Sequence, residues 1–259
     1  GGVDFQGCQI RMVATSPQAV SGVSHYAALD EHGRVWTWGG NYWGALGLGL
    51  GLWQPDDDER GMYTEDAKTQ PYPVRVPSSF GGEKVAMVAT GPANTAAVTT
   101  GGALWVWGRP YVISHTSPGA TPSTFGIRTP TLIPCSLFGG ALVQSVACGQ
   151  YHILVLTTCG AVWSLCDKRR LIMEKCTTLS DDCNTVHSTL TPQLVDASHF
   201  GGARIVACFA NRRCSAAVTE HGALYVWGDV VASGTPTLVP TSSPGGRRVG
   251  WWTKHIEHE

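Results

Sequence analysis

Charge is what this sequence has least of. Asp, Glu, Lys and Arg make up 14% of its 259 residues, and eighteen basic side chains against nineteen acidic ones leave a formal net charge of −1. Such a balance offers no electrostatic case for nucleic acid or an anionic membrane. Long hydrophobic runs are missing too. No stretch approaches the roughly 18–20 residues that a membrane span needs, and no signal-peptide pattern opens the chain. Absent as well are a Ser-His-Asp constellation, a Gly-rich phosphate loop and a repeated carboxylate pair, so nothing marks a self-contained enzyme. Low charge is not disorder here, because 43% of the residues are hydrophobic.

What is abundant is turn chemistry and repetition. Thirty-two glycines and fifteen prolines suit many strands joined by tight turns. Residues 24–39 read SHYAALDEHGRVWTWG, and the phrase returns as NTAAVTTGGALWVWG at 94–108 and CSAAVTEHGALYVWG at 214–228. A fourth copy spans 146–163, VACGQYHILVLTTCGAVW. His25, Asn94, His152 and Cys214 each precede a turn glycine, Gly33, Gly102, Gly160 or Gly222, by the same interval. Every copy is therefore two apolar strands around a tight turn, and internal repetition is the first thing to read. Repeats start near 5, 80, 138, 200 and 244, at Phe5-Gln-Gly, Phe80-Gly-Gly, Phe138-Gly-Gly, Phe200-Gly-Gly and Pro244-Gly-Gly. The whole of 1–259 reads as one all-β domain of about four full repeats and the opening of a fifth.

The strand pattern predicts how the units pack. Trp36 and Trp38 share one face with Val35 and Thr37 on the other, and Trp105/Trp107 and Tyr225/Trp227 repeat this. Both faces are mostly apolar, so both are expected to be covered, as in sheets stacked around a ring. The Ala27-Ala28, Ala96-Ala97 and Ala216-Ala217 pairs suit the crowded inner part of such a ring. After each Trp-Gly the chain makes an excursion and returns through a Pro-flanked strand, an edge or outer strand because proline cannot donate to a central ladder. The insertions, 50–69, 109–128 and 167–190, fall at one point of the repeat and should emerge on one face.

The pattern V-A-C-G-x-x-H, followed by A-L-x-x-x-G-x-V-W-x-W-G-x-N-x-x-G-x-L-G, resembles the repeat of the RCC1 family of β-propellers. Residues 24–49 carry its second half, including Asn41, Gly44, Leu46 and Gly47, and residues 146–152 its first half. The resemblance implies a propeller of four-stranded antiparallel blades. It covers nearly the whole chain outside the insertions. Only the first copy keeps the Asn-x-x-Gly-x-Leu-Gly tail, and the third has Leu165-Cys166 where Trp-Gly is expected. The family's usual ring has seven blades, so this chain implies a partial, open or truncated ring, or a piece of a longer protein.

Candidate sites follow from residue types. Trp38-Gly39, Trp107-Gly108 and Trp227-Gly228 are structural repeat positions. His25 and His152 share a position with Asn94 and Cys214, an interchange that fits a structural side chain bonding a neighbouring turn and not catalysis. Asp56, Asp57, Asp58 and Glu59 lack the glycine-spaced acids of a calcium loop, and Lys168, Arg169 and Arg170 are too few for a basic stripe. Both runs are read as loop surfaces for a protein partner. Cys166, Cys176, Cys183 and His187 lack paired zinc spacing, so neither a metal nor another cofactor is expected. Nine cysteines, an odd number, with Cys148 and Cys208 inside strands, point to an intracellular reducing compartment, cytoplasm or nucleus.

The function expected is a non-catalytic protein–protein interaction scaffold within a larger protein or assembly. The resemblance adds two alternatives. One is exchange or regulation of a Ran-like small GTPase, as in the founding member, for which no wedge residue can be matched here. The other is chromatin association, which the low charge opposes. Some plant relatives sense ultraviolet light through a Gly-Trp-Arg-His-Thr motif. Here Gly250-Trp251-Trp252 falls in register on the strand opposite Met87 and Val88, which argues against that role.

Overall fold

The computed structural model describes residues 5–15, 24–49, 69–108, 127–150, 152–166, 192–211, 213–228, 231 and 233–240. Sixteen strands among them form four separate four-stranded sheets, each antiparallel and in chain order. The first holds β1 (Ile10–Thr15), β2 (His25–Asp30), β3 (Val35–Gly40) and β4 (Thr69–Arg75). The second holds β5 (Val85–Thr90), β6 (Asn94–Thr99), β7 (Leu104–Gly108) and β8 (Ile127–Ile133). The third holds β9 (Val143–Cys148), β10 (His152–Thr157), β11 (Val162–Cys166) and β12 (Gln193–Leu194). The last holds β13 (Ile205–Ala210), β14 (Cys214–Thr219), β15 (Leu224–Gly228) and β16 (Ser233–Leu238). These are four propeller blades.

The proline-bearing strands lie where proline is tolerated. β4 carries Pro71 and Pro73, β8 carries Pro130 and β16 carries Pro236, and each is the last strand of its sheet. The first strand of every blade is bulged against the second, at Ile10/Met12, Val85/Met87, Val143/Ser145 and Ile205/Ala207. A bulge recurring at one site increases the local twist in every blade alike.

Both faces of the inner blades are covered because the cores lie between sheets. Ala27, Leu29 and Val35 of the first blade pack on Val85, Val88 and Trp107 of the second. Val98, Leu104 and Val106 of the second meet Val143, Val146 and Ile153 of the third. Leu154, Leu156 and Val162 of the third meet Ile205, Ala217 and Trp227 of the fourth. Burying each large side chain stabilises by about 1.5–3 kcal/mol, so each joint is a small hydrophobic core.

The first strands of neighbouring blades, β1, β5, β9 and β13, approach one another and mark the inner side of the array. The alanine pairs lie one strand further out, on β2, β6 and β14. Ala27, Ala28, Ala96 and Ala97 are fully buried there, so crowding peaks between flat sheet faces and not on the innermost strand.

The Phe-Gly-Gly signature has a steric cause. In the second blade Gly81 and Gly82 sit at φ +71° and +84°, in the left-handed region that glycine enters without strain. That tight turn aims Phe80 edge-on at Trp105, with ring centroids 5.7 Å apart. Phe5 with Trp36, Phe138 with Trp163 and Phe200 with Tyr225 repeat the edge contact at 5.7, 5.8 and 5.3 Å.

Candidate functional site

Antiparallel order puts the connections between third and fourth strands at one end of every blade. Gly40 pairs with Thr69, Gly108 with Ile127 and Gly228 with Ser233, so these excursions leave from equivalent stems. The turns between first and second strands share that end. The opposite end carries the tight turns at Gly33, Gly102, Gly160 and Gly222.

At the insertion end, the repeat position of His25 reaches across to the next blade. His25 Nε2 lies 2.8 Å from Thr95 Oγ1. Asn94 Nδ2 donates to Gly149 O at 3.1 Å. His152 Nε2 lies 2.9 Å from Ser215 Oγ. Three side chains thus make three joints at one repeat position. Burial drives the pKa of both His25 and His152 down to about 4, against a partial upward pull on His25 from the Asn94 backbone. At neutral pH they are uncharged joint residues and poor proton acceptors.

The Asn-x-x-Gly-x-Leu-Gly tail of the first repeat is a second bridge. Asn41 Oδ1 accepts from Leu46 N at 3.1 Å and fixes the loop. Ala45 O then accepts from both Thr95 Oγ1 and Trp107 Nε1 of the next blade, each at 2.8 Å. A Cβ on Gly47 would lie 2.7 Å from the Trp107 indole nitrogen, which is why glycine stands there. Leu165, at the position of Trp107 in the third blade, has no N–H to satisfy, and the repeat before it has no such tail.

At the other end, main-chain bonds stitch the first three tight turns to the following blade. Val85 N donates to Gly33 O at 3.1 Å, Val143 N to Gly102 O at 3.0 Å and Ile205 N to Gly160 O at 3.3 Å. The first turn adds a buried carboxylate. Asp30 Oδ2 accepts from Arg34 Nε at 2.6 Å and Trp36 Nε1 at 2.9 Å. Its Oδ1 accepts from the His32 and Arg34 amides at 3.0 and 2.9 Å. Burial alone would raise the Asp30 pKa, but the bonds from Trp36, Arg34 and His32 outweigh it and hold the carboxyl below its ordinary value.

Trp38, Gly39, Trp107, Gly108, Trp227 and Gly228 lie on third strands, β3, β7 and β15. Gly108 has φ +98°, and a Cβ there would stand 2.4 Å from Ala93 O. Asp56, Asp57, Asp58 and Glu59 lie outside the described residues, as do Lys168, Arg169 and Arg170. So do Cys176, Cys183 and His187, and the repeat start near 244 with Trp251 and Trp252. Among the described residues, metal-donor side chains converge at Cys8, Glu31 and His32. Sequence reading missed this group and Asp30, because their roles depend on what the turn folds against.

The profile of the Regulator of chromosome condensation (RCC1) repeat matches residues 32–98, and a second profile of that repeat matches 18–44. The ultraviolet-B receptor UVR8 of Arabidopsis thaliana is 34% identical over 151 residues, 57% of this chain and 28% of that protein. The Arabidopsis RCC1 domain-containing protein RUG3, mitochondrial, is 28% identical over 229 residues, 87% of this chain and 43% of that one. The chain spans less than half the length of these curated relatives. Human WBSCR16 superimposes with a TM-score of 0.67 at 24% identity over 92% of this chain and 54% of its own. Prp20p of Saccharomyces cerevisiae, described with its binding properties to Gsp1p and histones, gives 0.64 at 20% identity, over 92% and 52%.

Proposed function

The repeats of this chain are RCC1-like repeats folded as propeller blades, and on that premise we propose that it is a non-catalytic interaction scaffold, part of a larger protein or assembly. One observation carries the reading. The conserved geometry of every joint is spent on holding blades together, while the variable excursions leave from equivalent stems at one end. A rigid array presenting unlike loops side by side is the arrangement in which loops bind and the frame positions them. The whole of 1–259 is read as one such domain. Cys8, Cys135, Cys148, Cys159, Cys208 and Cys214 are free, Cys148 and Cys208 of them buried, which supports a reducing compartment. Among the described residues no helix is long and apolar enough to cross a membrane.

The test replaces Asp56, Asp57, Asp58 and Glu59 by Ser in one variant and Lys168, Arg169 and Arg170 by Ser in another. Native mass measurement of complexes from the source cells then compares each with the parent chain. Loss of a stoichiometric companion from a variant whose melting temperature is unchanged is the expected result. Companions retained by both variants would remove these loops from the reading.

A second reading is regulation of a small GTPase, supported by likeness of fold to Prp20p, whose description names Gsp1p. Release of a fluorescent guanine nucleotide from a Ran-like GTPase, measured with and without this chain, separates it from the first. Association with chromatin through DNA contacts is the weaker reading, because a net charge of −1 offers little to a polyanion.

A further inference from the structure

The end of the first blade opposite the insertions gathers three donors from two segments. Cys8 precedes β1, while Glu31 and His32 lie in the turn between β2 and β3. The Cys8 sulfur, a Glu31 carboxylate oxygen and a His32 ring nitrogen all lie within 4.8 Å of one another. The segments are tied together by main chain. Glu31 N donates to Gln9 O at 2.9 Å, and Gln9 N donates back to Glu31 Oε1 at 3.1 Å, which leaves the second carboxylate oxygen for other use. The His32 amide is pinned on Asp30 Oδ1 at 3.0 Å.

Thiolate, imidazole and carboxylate together are the donor set of a borderline-soft divalent ion. Three protein ligands with the fourth position left to water match an open tetrahedral zinc site. Arg34 Nη2 donates to the Cys8 sulfur. A guanidinium beside a cation site would repel the ion, but Arg34 is ion-paired with Asp30 at 2.6 Å, so the pair adds little net charge. What remains is a donor bond to sulfur, an outer-shell contact of the kind that orients metal-bound ligands.

The repeats supply an internal control. The fourth blade has the same turn, Glu220-His221-Gly222, but Ala203 stands where the first blade has Cys8. The second blade has Glu83 there, and it caps the Gly101 amide at 3.2 Å. Only the first blade, among the four, brings all three donor types to this corner.

We propose that Cys8, Glu31 and His32 form a zinc-binding site at the turn end of the first blade. Binding takes the Cys8 thiolate, so the thiol proton passes to solvent as the metal–sulfur bond forms. Bound metal would clamp the segment before β1 to the β2–β3 turn.

Titration of the full chain with Co²⁺ tests this. A thiolate-to-cobalt charge-transfer band should saturate near about one equivalent and be displaced by Zn²⁺. The band should persist in a variant carrying Cys166→Ser, Cys176→Ser and Cys183→Ser. Cys8→Ser and His32→Ala should each weaken binding by more than about a hundredfold, beyond the loss typical of an outer-shell partner. Circular dichroism identifies any variant that fails to fold, and Ala203→Cys gives a readout by gain. With Glu220 and His221 already in place, it should raise the metal bound to about two equivalents. No band in the parent chain, a band surviving Cys8→Ser, or a band lost with the triple variant overturns the assignment. An unchanged stoichiometry in Ala203→Cys overturns the claim that these three positions suffice.

Discussion

His25 and His152 sit neutral inside joints, and that makes them sensors of acid. Each has an ordinary pKa of 6.5 and a folded value of about 4. Between those values the unfolded chain binds more protons than the folded one. The stability they contribute is therefore complete above pH 6.5 and lost as pH falls toward 4. Each displacement corresponds to about 3 kcal/mol on the linkage scale. The urea midpoint should accordingly fall steeply over that window. A His25→Asn, His152→Asn variant, which copies the Asn94 joint, should show a flatter profile. An equally steep profile in the variant would place the acid response elsewhere. The shared position of these residues was legible in the repeat. Their partners were not, because Thr95 and Ser215 lie far along the chain and belong to the next blade.

At the scale of one element, the tight turn shows how equivalent hairpins diverge. Asp30 satisfies the indole of Trp36, but Thr99 stands at that position in the second blade and uses its hydroxyl on Ala103 N at 3.0 Å. Trp105, the counterpart of Trp36, has a buried Nε1 with no partner among the described residues. Introducing Thr99→Asp with Ala103→Arg should rebuild the first blade's network and stabilise the chain by about 1–2 kcal/mol, read from chemical denaturation. Asp30→Ala should cost about 1–3 kcal/mol, since it leaves the Trp36 indole and two amides without their acceptor. If both variants match the parent, the carboxylate is not what orders this turn. Glycine spacing disclosed that a turn existed here. It could not disclose which turns carry a buried charge, because Asp and Thr both serve at that position.

For the molecule as a whole, the second strands of the first three blades are the most enclosed, β6 above all. All six residues of β6 are buried, and in β10 all but His152 are. The outer strands expose Tyr72, Leu132, Leu194 and Leu238, each more than two-fifths accessible. Amide exchange followed by mass spectrometry should thus be slowest in β6 and β10 and fastest in β4, β8, β12 and β16. Outer strands protected as strongly as β6 would mean that something covers them in solution. Four blades with proline on the outer strands could be read from the sequence because period, turn residues and proline are local signals. The Cys8, Glu31 and His32 corner could not, since its members are separated by two strands and lack any metal-ligand spacing.

The stitches from Val85, Val143 and Ile205 to the preceding turn use only main-chain atoms. A seam read through amides and carbonyls does not discriminate between side chains. Exchanging one unit for another would leave the bonding of this seam unchanged, and a matching change in the neighbour is demanded at the insertion end, where His25 meets Thr95 and His152 meets Ser215.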